Sequence, residues 1–381
     1  MARIGIDIRK IEDFGVGTYI QNLLENLSLI DSTNEFCLFG YDKGPVHSLD
    51  LGKNFHFIMD RSARYGVMEH VRLPLKVFRN RCHLFHSPHY VLPYFAPALP
   101  VVTIHDIIHI LFPEYLPNRR ALFYARKIMS RSIRQAACVL TVSERSKCDI
   151  LDHFNVEPEK VRVIYNGIDE SFLARVDPDE RHRIKERYRL DDPFILYVGN
   201  IKPHKNVGRL IEAFALLKED DRFKRHKLVI IGSDAARYTS IRSAVVRGCL
   251  QTEVRFLGWV PKSFLPGIYQ LAECFVYPSL YEGFGFPPLE AMASQIPVVC
   301  SSASSLPEIV ARAALTVDPM DTHEIAKKTA QVLTDPALRQ RLVADGTENI
   351  KRFSWRDSVT RIHACYMEVL SGAKDKPSPK A

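Results

Sequence analysis

No run of apolar residues in this 381-residue chain reaches the roughly 18 that a membrane-spanning helix requires. The opening MARIGIDIRK is a strand pattern interrupted by Asp7 and Arg9, not the continuous apolar segment of a secretory leader. The eight cysteines contain no C-x-x-C, and Cys274 and Cys300 stand inside apolar strand-like runs. This argues against zinc and for a reducing, cytoplasmic compartment, at the inner face of the membrane if at any surface. His105 and His109 are four apart, yet the residues between them are not those of H-E-x-x-H. Asp177 and Asp179 look like an acidic metal pair, but hard cations need several convergent oxygens, and the polar stretch around them reads as linker. No metal site is expected. With 46% apolar and 25% charged residues, disorder is excluded for most of the length.

Charge is present and uneven. Lysine and arginine total 52 against 44 acids, a formal excess of +8. Between Arg61 and Arg134, twelve basic residues face only Glu69, Asp106 and Glu114, which accounts for the whole excess. Aromatic and aliphatic residues interleave there, among them Tyr65, Val67, Met68, Val71, Leu75 and Phe78. The pattern suits either two solvated helix faces or a basic amphipathic surface for anionic lipid. No nucleic-acid-binding motif accompanies it, so no nucleic-acid partner is expected.

Short apolar runs alternate with amphipathic stretches from end to end. The first series runs from 2–8 through 36–40, 55–58, 83–86, 100–106 and 137–142 to 161–165. A polar break over 166–192 follows, and the series restarts at 193–199, 227–232, 253–258, 274–277, 297–301 and 314–317. Near-continuous apolar strands alternating with helices predict parallel sheets covered on both faces, hence an α/β chain of two doubly wound domains. The boundaries read as 1–170 and 171–354, with a last helix over 355–371 and a disordered tail at 372–381.

Three loops could carry chemistry. The run Glu282-Gly283-Phe284-Gly285-Phe286-Pro287-Pro288-Leu289-Glu290 follows a strand and opens a helix. Its glycines let backbone approach a ligand closely, and prolines are tolerated in a helix's first turn. The amides beyond then form an anion site, with Glu282 and Glu290 placed for hydroxyls on either side of a phosphate. Gly199-Asn200-Ile201-Lys202-Pro203-His204-Lys205-Asn206 also stands between a strand and a helix, with lysines able to neutralise a diphosphate. Gly15-Val16-Gly17-Thr18 reads as a loop before the first helix, either a plain turn or a close approach to a ligand. His105-Asp106 and His86-Ser87-Pro88-His89 end strands, where an α/β crevice lies.

This ordered set resembles the retaining glycosyltransferases of family four. The E-x7-E run, G-V-G-T-Y, H-D after a strand, V-S-E-R-S-K, Y-N-G-I-D, Y-V-G-N-I-K-P-H-K-N and F-L-G-W-V span nearly the whole chain. The likeness is strongest to bacterial O-antigen and exopolysaccharide mannosyltransferases. It implies a GT-B fold: two Rossmann-like domains, acceptor-side then donor-side, facing a cleft that closes over substrate, with the final helix crossing back to the first. By matching position, Glu282 would bind the donor sugar, Glu290 the ribose, and Lys205 with amides from Phe284 to Leu289 the diphosphate. The Gly15–Gly17 loop would approach from the other domain, His105 would sit beside the reacting carbon, and Trp259 and Val260 would border the base. His86, His89 and Asp106 are the candidates on the acceptor side. Asn200 and His204 stand where many relatives carry arginine, so the diphosphate leans on Lys205, with Lys202 as helper.

The implied activity is transfer of a hexose with retention from a nucleotide-diphosphate sugar, GDP-mannose first and UDP-sugars second, to a saccharide or lipid-linked acceptor. The nucleotide sugar is a substrate, and no cofactor or metal is implied. Two other readings remain. A sugar-nucleotide epimerase of the same architecture would consume donor without an acceptor. A non-catalytic module for nucleotide sugars or anionic surfaces would bind and release no product.

Overall fold

The computed structural model describes residues 1–62, 68–95, 97–116, 118–233 and 238–372. The chain divides into two compact units: Met1–Gly167 together with the chain from Ser354 onward, and Ile168–Phe353.

Unit 1 is built on β1 (Arg3–Asp7), β2 (Glu35–Gly40), β3 (Phe55–Met59), β4 (Leu84–Ser87), β5 (Leu99–Thr103), β6 (Cys138–Thr141) and β7 (Val161–Val163). All pair in parallel, in the order β3-β2-β1-β4-β5-β6-β7. Unit 2 holds β8 (Phe194–Val198), β9 (Lys227–Ile231), β10 (Val254–Gly258), β11 (Cys274–Tyr277), β12 (Val298–Ser301) and β13 (Ala314–Val317), again all parallel, in the order β10-β9-β8-β11-β12-β13. Every apolar run singled out in the sequence is a strand. β4, β6, β8, β11 and β12 are buried at each position, as central strands with both faces covered must be.

The terminal helix Trp355–Gly372 belongs to unit 1, where polar contacts hold it. Ser358 Oγ donates to the Tyr165 carbonyl at 2.5 Å, His363 Nε2 lies 2.7 Å from Asp31 Oδ2, and Tyr366 Oη lies 2.6 Å from His86 Nδ1. The expected disordered tail beyond Gly372 lies outside the described residues.

Two expectations are corrected. Gly15-Val16-Gly17-Thr18 is not a loop: the helix Phe14–Ile30 already contains it. A Cβ on Gly17 would lie 2.4 Å from the Ile11 carbonyl oxygen, so only glycine lets the helix start so close to the chain leaving β1. Asp177-Pro178-Asp179 is not linker either. Asp177 caps the helix Pro178–Tyr188, accepting the Asp179 and Glu180 amides at 2.9 and 3.3 Å, with Pro178 in the first turn. A charged helix with one buried apolar residue, Ile184, shows almost no periodicity to read.

Candidate active site

Strand order reverses in each sheet, between β1 and β4 in unit 1 and between β8 and β11 in unit 2. At such a reversal the loops leaving the carboxyl ends run to opposite sides and open a crevice. In unit 2 these loops are the two the sequence marked, Gly199–Asn206 after β8 and Pro278–Gly285 after β11.

The reversal brings Lys205 and Glu282 together. Lys205 Nζ lies 2.7 Å from both Glu282 carboxylate oxygens and 3.2 Å from Tyr277 Oη, and Tyr277 Oη donates to Glu282 Oε1 at 2.7 Å. The Lys205 and Glu282 side chains are 15% and 10% exposed, so the pair is largely desolvated yet reachable. Asn206 anchors the lysine's loop, its amide donating to the carbonyls of Pro278 at 3.0 Å and Pro319 at 2.7 Å. Burial alone would push the Glu282 carboxyl up, but the Lys205 charge and the lysine and tyrosine hydrogen bonds hold it below its ordinary range.

The helix Phe286–Ala293 starts beside Glu282. Its N-cap Gly285 has φ +110° and contributes no side-chain cap, so the helix's positive end lies beside the Glu282 turn. Serines brace the turn: Ser304 Oγ donates to the Glu282 carbonyl at 2.7 Å, and Ser305 Oγ lies 2.9 Å from that oxygen and 3.0 Å from the Phe284 carbonyl. Glu290, one helical turn in, accepts from Tyr269 Oη at 2.8 Å. Burial pushes it up to about 7, against the Tyr269 bond and the Lys262 charge, with Asp169 adding to the rise.

The other donor-side candidates scatter in character. Phe284 and Leu289 are buried, and Phe286 is half-buried against Phe284, their ring centroids 5.3 Å apart. Asn200 is half-buried, Lys202 exposed, and Trp259 71% exposed just past β10, while Val260 is in the core. His204, expected in the diphosphate's loop, does not face solvent. It is buried, and its carbonyl accepts the Leu280 amide at 2.7 Å and Ser279 Oγ at 3.1 Å, tying the two loops together.

In unit 1 the reversal places the start of the helix Phe14–Ile30 beside the His86–His89 segment. Gly15 is exposed and Gly17 buried. His105 is half-buried, with Nε2 3.1 Å from the Pro88 carbonyl and its ring edge-on to Tyr19 at 4.9 Å. A carbonyl only accepts, so Nε2 carries the proton and Nδ1 the lone pair. Burial pushes this imidazole below its usual range, keeping it neutral. Asp106 Oδ1 accepts the Ile108 amide at 3.0 Å. His89 joins Asp7, Arg9, Lys10, Glu69 and Ser87 around a small depression.

His86 is corrected. It is fully buried, with Nε2 2.8 Å from Thr103 Oγ1 and Nδ1 2.6 Å from Tyr366 Oη, and burial with His105 nearby brings it down to about 3. Position 86 faces the sheet's interior, so His86 is a neutral core residue and not an acceptor contact. His105 and His109 do not share a helix, since the short helix Ile108–Leu111 begins after His105. Among the described residues no group of three or more His, Cys, Asp or Glu is arranged to hold a metal ion.

Sequence reasoning missed Tyr277, Tyr269, Ser304 and Ser305. The signal for the serines was the stretch SSASS directly after β12; the tyrosines carried none, because each reads as an apolar position in its own element.

A family model described as "Glycosyltransferase Family 4" matches residues 15–172, and one described as "Glycosyl transferases group 1" matches 178–349. The O-antigen chain mannosyltransferase B of Escherichia coli is 35% identical over 285 residues, 74% of this chain and 74% of that protein. Among solved structures, a sucrose-phosphate synthase from Thermosynechococcus elongatus superposes with a TM-score of 0.79 at 19% identity, over 98% of this chain and 100% of that one. Anabaena HepE, solved with UDP and glucose, gives 0.77 at 16% identity over 96% and 100%.

Proposed function

The chain belongs to glycosyltransferase family 4, with the GT-B class of fold, and from that premise we propose that unit 2 binds a nucleotide-diphosphate sugar and that unit 1 holds the saccharide acceptor. GDP-mannose is the donor we favour and a UDP-sugar the second, because the curated relative is named a mannosyltransferase. Glu282 accepts hydrogen bonds from the donor sugar and Glu290 from the ribose, Trp259 and Val260 border the base, and Asn200 lines the diphosphate's loop. Lys205 and the backbone amides from Phe284 to Leu289, Pro287 and Pro288 having none, hold the diphosphate. His105 lies beside the reacting carbon, presenting an uncharged ring, and His89 and Asp106 serve the acceptor.

In the reaction the bond from the anomeric carbon to the diphosphate oxygen breaks, its electron pair leaving with the phosphate. The acceptor oxygen forms the new bond on the same face, and its proton passes to the departing phosphate. Negative charge grows on the leaving group, where preorganised amide dipoles and an ammonium stabilise it most. These groups supply the positive charge the step requires, so the reading invokes no metal or cofactor.

The Lys205–Glu282 pair at the reversal between β8 and β11 carries this reading. Thermal unfolding with a panel of nucleotides and nucleotide sugars tests it. A ligand at 100 times its Kd adds about 2.7 kcal/mol to the folded state. GDP or UDP should raise Tm in the wild type and not in Lys205→Ala. Glu282→Ala should keep its fold and lose transfer by about 100-fold or more, the scale seen when one transition-state contact is removed. Full activity in both variants rejects the assignment. Donor consumption without acceptor would favour the epimerase, and binding with no product the non-catalytic module.

A lipid-linked acceptor and peripheral docking on anionic membrane complete the proposal. The helix Glu69–Arg79, with Met68 before it, exposes an apolar stripe of Met68, Val71, Leu75 and Phe78 beside Arg72 and Arg79. Phe123, Arg119, Arg120 and Lys127 are exposed on the helix Arg119–Gln135. Apolar insertion with surrounding cations suits an anionic headgroup layer. Among the described residues no helix is long and apolar enough to cross a membrane. Binding to phosphatidylglycerol vesicles should fall steeply as salt rises; binding that ignores salt, or none, removes this part of the proposal.

A further inference from the structure

Lys205 has two demands on it. At rest its ammonium is held by both Glu282 oxygens and by Tyr277 Oη, 5.7 Å from the centroid of the Tyr277 ring. If it neutralises a diphosphate, as the reading above requires, it must loosen its hold on Glu282, because an anion carrying more than one charge outcompetes a single carboxylate. A buried carboxylate that loses its cation takes up a proton. A protonated Glu282 would be a poor acceptor for a sugar hydroxyl.

Tyr277 supplies what remains. A phenol has one hydrogen, and an ammonium only donates, so the Tyr277 proton points at Glu282 Oε1 while its oxygen receives Lys205. The ring cannot follow the lysine: it is 1% exposed and stacked between Tyr197 at 5.6 Å and Phe275 at 5.7 Å, at the last position of β11 before the catalytic turn. We propose that Tyr277 is a positioning residue, which keeps Glu282 ionised and oriented toward the donor sugar when Lys205 turns to the diphosphate. The proposal rests on the assignment of Lys205 and Glu282 made above.

Among the other neutral groups facing Glu282, only Ser279 acts in the same sense, and less strongly than Tyr277. Tyr197 on β8 and Cys300 on β12 are buried and pushed up by burial and by the Glu282 charge, so both stay neutral, and among the described residues Lys205 is the cation that acts on the carboxylate. Ser279 also hydrogen-bonds the carboxylate and helps hold it down, but its one hydroxyl proton is shared with the His204 carbonyl at 3.1 Å and that of Tyr281 at 3.3 Å. The Tyr197 hydroxyl has no hydrogen-bond partner among the described residues.

The test is Tyr277→Phe, which removes one oxygen and keeps the stacked ring, with Tyr197→Phe as the same change one strand away. Tm without ligand checks the fold of each. Affinities for GDP and for GDP-mannose are measured by calorimetry from pH 8 down to pH 5. Wild type and Tyr197→Phe should hold GDP-mannose with a flat profile. Tyr277→Phe should bind GDP as the wild type does, yet lose about tenfold in GDP-mannose affinity toward pH 5 as Glu282 takes up a proton. Equal losses of GDP and GDP-mannose would mean a merely structural role and overturn the proposal, as would a flat profile in Tyr277→Phe or the same loss in Tyr197→Phe. Failure of the underlying assignment looks different: Lys205→Ala would bind GDP as well as the wild type, and both readings would fall together.

Discussion

Glu282 and Glu290 have seven residues between them in one motif, yet their surroundings treat them oppositely. A lysine and a phenol sit on Glu282, and it stays ionised. Glu290 has one phenol, Tyr269, and burial dominates, taking it from an ordinary 4.5 up to about 7. An acid whose folded-state pKa is raised binds its proton more tightly when folded. The stability this contributes is complete below pH 4.5 and lost as pH rises through 7. Glu290→Gln cannot titrate, so its Tm should gain on the wild type as pH rises from 5 to 8. A constant difference across that range, measured by thermal unfolding, would show that Glu290 is not so perturbed. Both carboxylates were legible in the sequence because their spacing around glycines is unusual. Their phenol partners were not, since Tyr269 and Tyr277 come from a helix and a strand whose tyrosines look like any core aromatic.

The strand-turn-helix from Cys274 to Ala293 is the element on which the proposed donor site depends. Its turn requires φ +110° at Gly285, a conformation L side chains avoid, and a Cβ there would lie 2.7 Å from a Leu306 methyl. The methyl can shift, but the backbone strain stays, at about 1–3 kcal/mol. Gly285→Ala should lower stability by that amount in urea unfolding and weaken GDP binding, because the helix start moves with it. Unchanged GDP affinity would mean the helix terminus is not the diphosphate's seat. The turn's existence could be read from Gly-x-Gly before Pro-Pro. The brace of Ser304 and Ser305 could not, because it comes from the loop after β12, a different strand.

At the scale of the molecule, the chain completes its first unit only after building its second. The helix Trp355–Gly372 joins unit 1, and Tyr366 reaches the buried His86 that also bonds Thr103. Ending the chain at Phe353 would strip this helix away and leave His86 short of a partner, a loss of about 1–3 kcal/mol for that group alone. Hydrogen exchange should then accelerate in β1 and β4 while β8 and β11 keep their protection. Equal acceleration in both units would show that the helix stabilises more than the unit it belongs to.

The thirteen strands of the described residues, their two series and the two loops that carry Lys205 and Glu282 followed from the order of residues alone, because buried parallel strands need unbroken apolar runs and tight turns need glycine. Whether His86 faces a substrate or the core, whether Gly15 and Gly17 lie in a loop or a helix, and which hydroxyls steady Glu282 and Glu290 were decided only in three dimensions. Those answers depend on which strands become neighbours at the reversal of sheet order, a contact between residues as far apart as Lys205 and Glu282 that no local pattern encodes.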